Sequence, residues 1–385
     1  MTPRVLLYVQ HLLGIGHLRR AAAIARGLAA GGFDVAFVSG GEAVPSLDIG
    51  GARLVQLAAI RSGDSGFSSL VDDSGAPVGD GLWRARQSAL ESELAAFAPD
   101  VLLIEMFPFG RRQFRRELIP LLEAAGARRP RPLVACSVRD ILVQKNKPER
   151  LQEMLDLLER HYDLVLVHGD PAFADFALTF PAAADIAGKI RYTGFVVGDL
   201  PARLPPSARQ DVVLVSAGGG AVGAPLLHAA LAARSLTQQH DALWHVITGP
   251  NLPENDFTAL QEDAGDKLLI ERFRSDFPQL LASCRVSVSQ AGYNTLMEIL
   301  AVGARAVVVP FADGQESEQP LRARLLAERG LVQAVAPQDL TPARLAAAID
   351  AAAAMPAPAE GLFNLAGAAA TAKILLQALR QRLIA

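Results

Sequence analysis

The sequence has few of the features that mark secreted, membrane-spanning or nucleic-acid-binding proteins. It contains two cysteines, Cys136 and Cys284, in separate apolar segments, which favours buried thiols in a reducing compartment. No apolar run approaches the roughly 20 residues that span a bilayer, and the N-terminal apolar run lacks a small-residue cleavage site. The net charge is −3, and the parts before and after residue 195 carry about zero and −3. We therefore expect a cytoplasmic protein that has no nucleic-acid partner.

Motifs for metal binding and for several common catalytic chemistries are also missing. The seven histidines include no H-x-x-x-H pair, and no predicted strand ends in Asp-x-Asp. The nucleophile elbow G-x-S-x-G and the P-loop are absent as well. The sequence therefore predicts a site that needs neither a metal ion nor another cofactor.

What the sequence does contain is apolar material for two domains. The chain has 385 residues, 51% hydrophobic and 20% charged, which is too long for one ordinary core. Prolines between residues 198 and 210 mark a stiff linker. We expect a first Rossmann-like domain over residues 1–197, a linker over 198–210, a second Rossmann-like domain over 211–364, and a C-terminal helix over 365–385 that is free to pack back on the first domain.

The stretch 286–330 shows the order of elements most clearly. A β-branched run, 286–289, is followed by a turn over 290–294 and a helix from Thr295 that should stop at Gly303. A second strand over 306–310, a turn at Asp313-Gly314 and a second helix over 318–329 come next. Strand, turn and helix in this order predict a doubly wound parallel α/β sheet, whose ligands bind beyond the carboxyl ends of the strands.

The first turn of the chain repeats this arrangement. An apolar strand over 4–9 leads into Gly14-Ile15-Gly16-His17, and a helix over 18–30 and a strand over 34–39 complete a βαβ unit. Glycine amides and the His17 side chain are thus expected at the edge of the first sheet.

A dinucleotide cofactor is the first interpretation of the second glycine-rich turn. Residues 218–223 fit G-x-G-x-x-G after a strand. However, the acidic residue that should bind the ribose is absent, because the next strand runs into Gly249-Pro250. The first turn also has Arg19 in place of a third glycine. A dehydrogenase is therefore disfavoured, and the general property that remains is binding of a diphosphate by backbone N–H groups and a helix N-terminus.

Two further segments have open interpretations. Residues 61–81 contain several glycines, serines and aspartates without an apolar period, which predicts either an acceptor-site lid or a plain insertion. Seven arginines lie within residues 111–131. Four of them could contact an anionic membrane surface or an anionic acceptor, or could form a solvated helix face offset by Glu117 and Glu123; they are Arg111, Arg112, Arg115 and Arg116.

These features together resemble the two-domain GT-B glycosyltransferases. The residues that carry the resemblance are Gly-x-Gly-His after the first strand, the glycine turn that opens the second half, and Ser-x-Ala-Gly-x-x-Thr-x-x-Glu over 289–298, followed by Pro-Phe and Glu-Gln. The resemblance is strongest over 211–335, weaker over 40–195, and points to glycosyltransferase family 28, which includes the undecaprenyl-diphospho-muramoylpentapeptide N-acetylglucosaminyltransferase. It implies two domains facing each other across a cleft, a nucleotide-sugar donor in the second, an acceptor in the first, and inversion at the anomeric carbon without a metal.

The resemblance also implies roles for particular residues. Glu298 would accept both ribose hydroxyls, Gly292 and Thr295 would face the diphosphate, the backbone at Phe273 would contact the base, and Glu318 with Gln319 would bind the sugar. The family has two adjacent glutamines where this chain has Glu318-Gln319, so the sugar stays open between an N-acetylhexosamine and a hexose. The full set of predicted donor-binding residues is Gly14, Gly16, Thr193, Gly218, Gly219, Gly220, Thr248, Phe273, Ala291, Gly292, Asn294, Thr295, Glu298, Glu318 and Gln319.

Several of these residues also have a purely structural interpretation. Thr295-x-x-Glu298 fits a capping box, in which the glutamate is used at the start of its own helix. Gly292 could serve only as a turn glycine, and Phe273 could belong to the core.

Three residues are candidates for the catalytic base. A hydroxyl acceptor must lose its proton as it attacks the anomeric carbon, and a neutral imidazole suits that task near pH 7, which favours His17. Glu105 and Asp140, each just past a predicted strand on the same edge, are the alternatives. The function predicted first is transfer of a sugar from a UDP-linked donor to a hydroxyl acceptor, in cell-envelope or polysaccharide synthesis at the inner face of the membrane. A nucleotide-sugar 2-epimerase or hydrolase, and a non-catalytic nucleotide-sugar-binding protein, are the alternatives.

Overall fold

The chain forms two units, each with its own parallel sheet. The computed structural model describes residues 2–12, 14–45, 47–63, 69–143, 148–220, 222–262, 264–312 and 316–384. One unit comprises Met1–Gly198 with Phe363–Ala385, and the other comprises Asp199–Leu362. We call them the first and the second domain.

The first domain carries a seven-stranded sheet and a separate two-stranded sheet. Apart from the last helix of the chain, its helices and strands are, in chain order, β1 (Arg4–Val9), α1 (Gly16–Ala30), β2 (Asp34–Ser39), β3 (Arg53–Gln56), β4 (Arg61–Ser62), β5 (Leu70–Val71), α2 (Asp80–Phe97), β6 (Val101–Glu105), α3 (Arg115–Ala127), β7 (Leu133–Arg139), α4 (Pro148–His161), β8 (Leu164–His168) and β9 (Ile190–Tyr192).

The second domain carries a six-stranded sheet. Its elements are β10 (Val212–Ser216), α5 (Ala224–Ala233), β11 (Leu243–Ile247), α6 (Glu254–Glu262), β12 (Leu268–Glu271), α7 (Phe277–Ser283), β13 (Val286–Gln290), α8 (Tyr293–Val302), β14 (Ala306–Val309), α9 (Glu318–Glu328), β15 (Gln333–Ala334) and α10 (Pro342–Ala354). The last helix of the chain, α11 (Gly367–Ile384), belongs to the first domain.

The strand order of each sheet reverses once. The first sheet runs β3-β2-β1-β6-β7-β8-β9 and the second runs β12-β11-β10-β13-β14-β15, with every pair parallel. The chain leaves β1 toward one side and returns to β6 on the other, and it does the same around β10 and β13. Ligand sites in such sheets lie at this reversal, beyond the carboxyl ends of the strands. The topology therefore directs attention to the turns after β1, β6, β10 and β13.

Burial on both faces explains why these segments are strands. Val5–Val9 in β1 and all of β6, β8 and β10 are buried, as expected for parallel strands covered by helices on both sides. Separate apolar clusters cover the two faces of the first sheet, and a further cluster surrounds the second sheet. The predicted parallel α/β architecture in two domains is confirmed.

Helix α11 packs on α1 of the first domain at small residues. A Cβ atom added to Gly27 would lie 2.7 Å from the carbonyl carbon of Ala368, so glycine permits the close approach of the two helices. Ala372 and Leu375 are buried and complete the core on that side. In the second domain, Arg203 Nε donates to Ala301 O at 2.8 Å and Arg209 Nη2 donates to Gly303 O at 2.8 Å. These two bonds attach the proline-rich segment before β10 to the C-terminal end of α8.

Some local boundaries differ from the prediction. Helix α8 begins at Tyr293 rather than Thr295, with Gly292 as its N-cap. Residues 61–81 are not one irregular loop, because β4 and β5 pair antiparallel and α2 begins at Asp80; residues 64–68 of the predicted lid lie outside the described residues, as does the predicted turn at Asp313-Gly314. Among the helices that the structure describes, none combines the length and hydropathy of a membrane span.

Candidate functional site

His17 and Glu105 form a hydrogen-bonded pair at the reversal of the first sheet. His17 is the second residue of α1 and Glu105 is the last residue of β6. Nδ1 of His17 lies 2.8 Å from Oε1 of Glu105, and their side chains are 18% and 1% exposed. Arg20, one helical turn beyond His17, also bonds Oε1 of Glu105. An ionised carboxylate only accepts hydrogen bonds, so Nδ1 carries the proton and Nε2 keeps its lone pair.

The surroundings of the pair set the charge of both residues. Burial, with Arg111 and Arg139, lowers the pKa of His17 to about 3 despite the opposing effect of Glu105, so the imidazole is neutral at pH 7. Burial alone would raise the pKa of Glu105, but His17 and Arg20 outweigh it and hold that pKa at about 2. A neutral imidazole backed by a carboxylate is the arrangement used for general-base catalysis.

Asp140, the third candidate base, is less accessible than His17. It follows β7 and is 1% exposed, and a Cβ atom added to Gly169 would lie 2.4 Å from its Cβ. Behind it, Ser137 Oγ lies 2.7 Å from Nε2 of His168, whose Nδ1 lies 2.8 Å from Thr193 Oγ1. Thr193 is fully buried and also donates to Gly194 O at 2.7 Å, so the structure uses this predicted donor-binding hydroxyl inside the protein.

The two glycines of the first turn differ in their surroundings. Gly14 is exposed, and an added Cβ would meet no atom within 4 Å. Gly16 is the first residue of α1, and no side chain caps that helix. Gly14 is therefore the residue of this turn with open space around it.

The glycine turn of the second domain packs directly on the end of β11. Gly220 has a φ of +87°, and an added Cβ would lie 2.6 Å from Thr248 O; at Gly249, φ is +87° and the added Cβ would lie 2.5 Å from Gly218 O. Gly220 N donates to Ala217 O at 3.0 Å, so that amide is used within the turn. Within the described part of the chain, no backbone carbonyl accepts from the amides of Gly218 and Gly219. Thr248 is fully buried.

The N-terminus of α8 lies at the reversal of the second sheet. Gly292 is its N-cap and has no side chain that could cap the first turn, and an added Cβ on Gly292 would meet no atom within 4 Å. Because Thr295 is the third helical residue and not the N-cap, the capping-box interpretation of Thr295 and Glu298 is wrong. Ala291 is buried, whereas Asn294, Thr295 and Glu298 are half-buried.

The predicted sugar-binding pair is divided in the structure. Glu318 is 2% exposed, and its Oε1 lies 3.1 Å from Nη1 of the buried Arg322. Arg322 in turn lies over the ring of Tyr293, 5.4 Å from its centroid. Gln319 is half-buried, and its Oε1 accepts from Phe311 N at 3.0 Å. Gln319 is therefore the more accessible member of the pair.

Phe273 does not belong to the core. It follows β12 at the same edge of the sheet, and it is 56% exposed. The core interpretation of this residue is wrong, and its backbone and ring are open to a ligand.

The arginines of residues 111–116 do not behave as one group. Arg112 and Arg115 pair with Glu153, and Arg116 pairs with Asp80, all near the surface. Glu117, which was expected to offset them, is instead buried against Arg86. Arg111 lies in the loop that follows Glu105, and it lowers the pKa of His17.

Sequence reasoning missed Arg20 and Arg322. The signal for Arg20 was its position three residues after His17, on the same helix face. Arg322 reaches Tyr293 from a neighbouring helix. Arg111 was named in the sequence as a contact for an anionic surface or acceptor, but its effect on His17 was not foreseen. Among the described residues, no group of three His, Cys, Asp or Glu side chains could hold a metal ion.

Comparison with known proteins points to one family for the second domain. Residues 212–373 match the family model "Glycosyltransferase family 28 C-terminal domain". A UDP-N-acetylglucosamine–N-acetylmuramyl-(pentapeptide) pyrophosphoryl-undecaprenol N-acetylglucosamine transferase of Brucella suis is 30% identical over 144 residues, which are 37% of this chain. The match spans 38% of the length of that relative.

Solved structures share the fold over nearly the whole chain. The calicheamicin glycosyltransferase aligns with a TM-score of 0.62 at 18% identity, covering 99% of this chain and 98% of the other. MurG of Acinetobacter baumannii aligns with a TM-score of 0.57 at 16% identity, covering 98% and 99%. At these identities the alignments show the fold. The resemblance found in the sequence is thus confirmed: residues 212–373 match the glycosyltransferase family 28 C-terminal domain, in a chain with the two-domain GT-B fold.

Proposed function

We propose that the protein is an inverting glycosyltransferase that needs no metal ion. It transfers a sugar, an N-acetylhexosamine or a hexose, from a UDP-linked donor to a hydroxyl acceptor. The observation that carries the proposal is the buried His17–Glu105 pair, in a chain whose other domain belongs to a glycosyltransferase family. The name of the Brucella relative, a UDP-N-acetylglucosamine-dependent transferase, supports the choice of donor.

In this proposal the first domain binds the acceptor and removes its proton. Nε2 of His17 accepts the proton of the acceptor hydroxyl as its oxygen attacks the anomeric carbon. The imidazolium that forms is stabilised by the ionised Glu105 at Nδ1. Attack in a single displacement comes from the face opposite the departing diphosphate, so the configuration inverts.

The second domain binds the donor in this proposal. The N-terminus of α8, with Gly292 as its N-cap, and the amides of Gly218 and Gly219 oppose the negative charge that grows on the leaving diphosphate. Half-buried Glu298 accepts the ribose hydroxyls, and the backbone of exposed Phe273 contacts the base. Gln319 contacts the sugar hydroxyls, since Glu318 is engaged by Arg322.

Ligand-induced stabilisation tests the donor assignment. UDP-sugars should raise the unfolding temperature of the full chain, since a ligand at 100 times its Kd adds about 2.7 kcal/mol of stability. NAD and NADP should leave the unfolding temperature unchanged. Stabilisation by NAD or NADP without stabilisation by UDP-sugars would show that the donor assignment is wrong.

Turnover tests the catalytic assignment. With UDP-sugars and hydroxyl acceptors, His17→Ala should lower kcat by about 10²- to 10⁴-fold while the UDP-sugar still stabilises the protein, and EDTA should have no effect. His228→Ala, at an exposed histidine, is the matched control. Unchanged kcat in His17→Ala would remove His17 from the mechanism, and consumption of the donor without an acceptor would indicate an epimerase or a hydrolase instead.

A further inference from the structure

The loop after Glu105 returns Arg111 to the end of β6. Met106 and Arg111 both have left-handed backbone conformations, with φ of +65° and +58°. Met106 N donates to Ser137 O at 2.8 Å, and Gly110 N donates to Met106 O at 2.7 Å, so the loop closes on itself beside β6. Left-handed conformations are unfavourable for a residue with a side chain, and such conformations cluster at binding sites. The chain thus holds Arg111 near Glu105 at an energetic cost.

The charges at this edge of the sheet leave one cation in excess. The charged groups at the ends of β6 and β7 and on the facing turn of α1 are Arg20, Arg111, Arg139, Glu105 and Asp140. The three arginines carry a charge of +3 and the two carboxylates carry −2. The nearby histidines do not change this balance, because burial lowers the pKa of His11 to about 4 and the pKa values of His17 and His168 to about 3.

Of these three arginines, Arg111 is the one whose side chain has no described salt bridge or hydrogen bond. Arg20 is engaged by Glu105, and Arg139 also has an interaction partner. In the described ranges no carboxylate forms a salt bridge with Arg111, and its buried Nε has no hydrogen-bond acceptor there. Burial lowers the pKa of Arg111, yet a guanidinium stays charged at pH 7. A partly buried cation without an anionic partner is unfavourable, and a ligand anion would satisfy it.

The neighbouring arginines show that the lack of a carboxylate partner is specific to Arg111 and is not shared by the whole segment 111–116. Arg112 is 50% exposed, and its Nη2 lies 2.8 Å from Glu153 Oε2. Arg115 and Arg116 also form surface salt bridges. Arg111 is the member of the group whose charge acts on His17 and Glu105.

We infer that Arg111 is the anion-binding residue of the acceptor site. It binds a carboxylate or phosphate group of the acceptor, while His17 receives the proton of the acceptor's hydroxyl. The planar guanidinium offers two parallel donors that match either anion. The natural acceptors are therefore hydroxyl compounds that carry an acidic group close to the hydroxyl. This inference rests on the proposed transferase function for the role of the anion, but the anion site itself can be measured without turnover.

Chemical protection tests the site directly. The full chain is treated with phenylglyoxal, which modifies arginine, and modification of each arginine is followed by peptide mass spectrometry. The reference is sodium chloride at equal ionic strength. Relative to it, sodium phosphate and sodium acetate should each slow the modification of Arg111 by at least about 3-fold and leave the modification rate of Arg112 unchanged. Protection by phosphate alone or by acetate alone identifies the type of anion. Equal rates at Arg111 in all three salts would overturn the inference.

Acceptor selectivity tests the role of the site in transfer. Matched hydroxyl acceptors with a carboxylate, a phosphate or a neutral amide are compared. The wild type should prefer an anionic member by about 10- to 100-fold in kcat/KM, as expected for a charge-assisted hydrogen bond. Arg111→Met should lose this preference, Arg111→Lys should retain part of it, and Arg112→Met should behave as wild type.

The two experiments separate this inference from the proposed function. Protection of Arg111 without sugar transfer to any acceptor would leave the anion site standing and would overturn the transferase proposal. Transfer with equal kcat/KM for anionic and neutral acceptors would support the transferase proposal and would overturn the role of Arg111 in acceptor binding.

Discussion

The hydrogen bond between His17 and Glu105 fixes the state of both residues. It places the proton of the imidazole on Nδ1 and leaves Nε2 as the acceptor. Arg20 holds the carboxylate ionised from the other side. At this scale the function of His17 therefore depends on the charge of Glu105 as well as on its position.

Glu105→Gln should reduce catalysis without weakening donor binding. The amide has no negative charge to stabilise the imidazolium, and its N–H can reverse the tautomer, so kcat should fall by about 10²- to 10⁴-fold. The KM for the donor should change little, because the proposed donor site lies in the other domain. Steady-state kinetics beside Glu123→Gln, an exposed position on α3, provides the measurement and its control. A wild-type kcat in Glu105→Gln would contradict the pairing's role.

The buried histidines should make the protein sensitive to mild acid. Burial lowers the pKa values of His11, His17 and His168 to about 4, 3 and 3, whereas the unfolded value is about 6.5. Below pH 6.5 the unfolded state thus binds more protons, and stability falls as pH drops, by up to about 1.4 kcal/mol per pH unit for each histidine. Glu105 acts in the same direction only below about pH 4.5, because its folded pKa is about 2.

Urea unfolding between pH 7.5 and 5 measures this sensitivity. The midpoint should stay constant down to about pH 6.5 and then fall. The asparagine amide in His168→Asn can still bond Ser137 and Thr193. In this variant the slope of the free energy of unfolding against pH should decrease by the equivalent of about one proton. A midpoint that is independent of pH over this range would show that the histidines are not buried in neutral form.

At the scale of elements, a buried ion pair joins α2 to α3. Arg86 Nε and Nη2 donate to Glu117 Oε2 and Oε1, each at 2.7 Å, and both side chains are fully buried. Arg86 Nη1 also donates to Gly40 O at 2.7 Å, and Tyr8 OH donates to Glu117 Oε1 at 2.6 Å. The network ties both helices to β1 and to the end of β2, below the edge where His17 lies.

Removing one member of this pair should cost more than removing both. Glu117→Leu leaves a buried guanidinium and should destabilise the first domain by about 3–5 kcal/mol, whereas Arg86→Met/Glu117→Leu should cost clearly less. Glu153→Ala, which breaks surface pairs with Arg112 and Arg115, should cost no more than about 1 kcal/mol. Chemical denaturation of the four proteins gives the values. A double variant at least as unstable as Glu117→Leu alone would contradict this account.

At the scale of the whole molecule, the first domain is completed by the last segment of the chain. The unit Met1–Gly198 includes Phe363–Ala385, and the intervening residues form the second domain with a core of its own. Helix α11 covers α1 with Ala372 and Leu375, which are buried. The stability of the first domain therefore depends on residues that follow the second domain in sequence.

A chain that ends at Leu362 should be weakened in one domain only. Loss of α11 exposes the apolar face of α1 and should lower the unfolding temperature of the first domain, while stabilisation of the second domain by UDP-sugars persists. Leu375→Ala in the full chain should reproduce part of the effect, at about 2–5 kcal/mol. Differential scanning calorimetry with and without UDP-sugar separates the two transitions. Equal loss in both transitions would contradict the assignment of α11 to the first domain.

Much of the fold could be predicted because its signals are local. The apolar runs of β1 and β13, the turn glycines after them and the stop at Gly303, where φ is +66°, act within a few residues. The parallel α/β class followed from their order, and the resemblance to family 28 followed from residues 289–298 together with the neighbouring turns. The start of α8 was misplaced by two residues, since Gly292 and not Thr295 is its N-cap.

The candidate site could be predicted residue by residue but not as an arrangement. His17, Glu105 and Glu298 were each recognised from their place after a strand, because the carboxyl ends of parallel strands share one edge. Accessibility was not visible in the sequence: Thr193 and Glu318 are buried by neighbours far away in the chain, whereas Phe273 is exposed.

The sequence by itself determined the order of strands and helices, the turns and the chemical identity of the side chains at the strand ends, because these depend on short-range backbone and hydrophobic preferences. Only the tertiary structure decided that His17 meets Glu105, 88 residues away, that Arg20 and Arg111 join them, and that α11 closes the first domain. The pairing of β1 with β6 brings His17 and Glu105 together. The register of that pairing depends on packing over the whole sheet, which no single segment encodes.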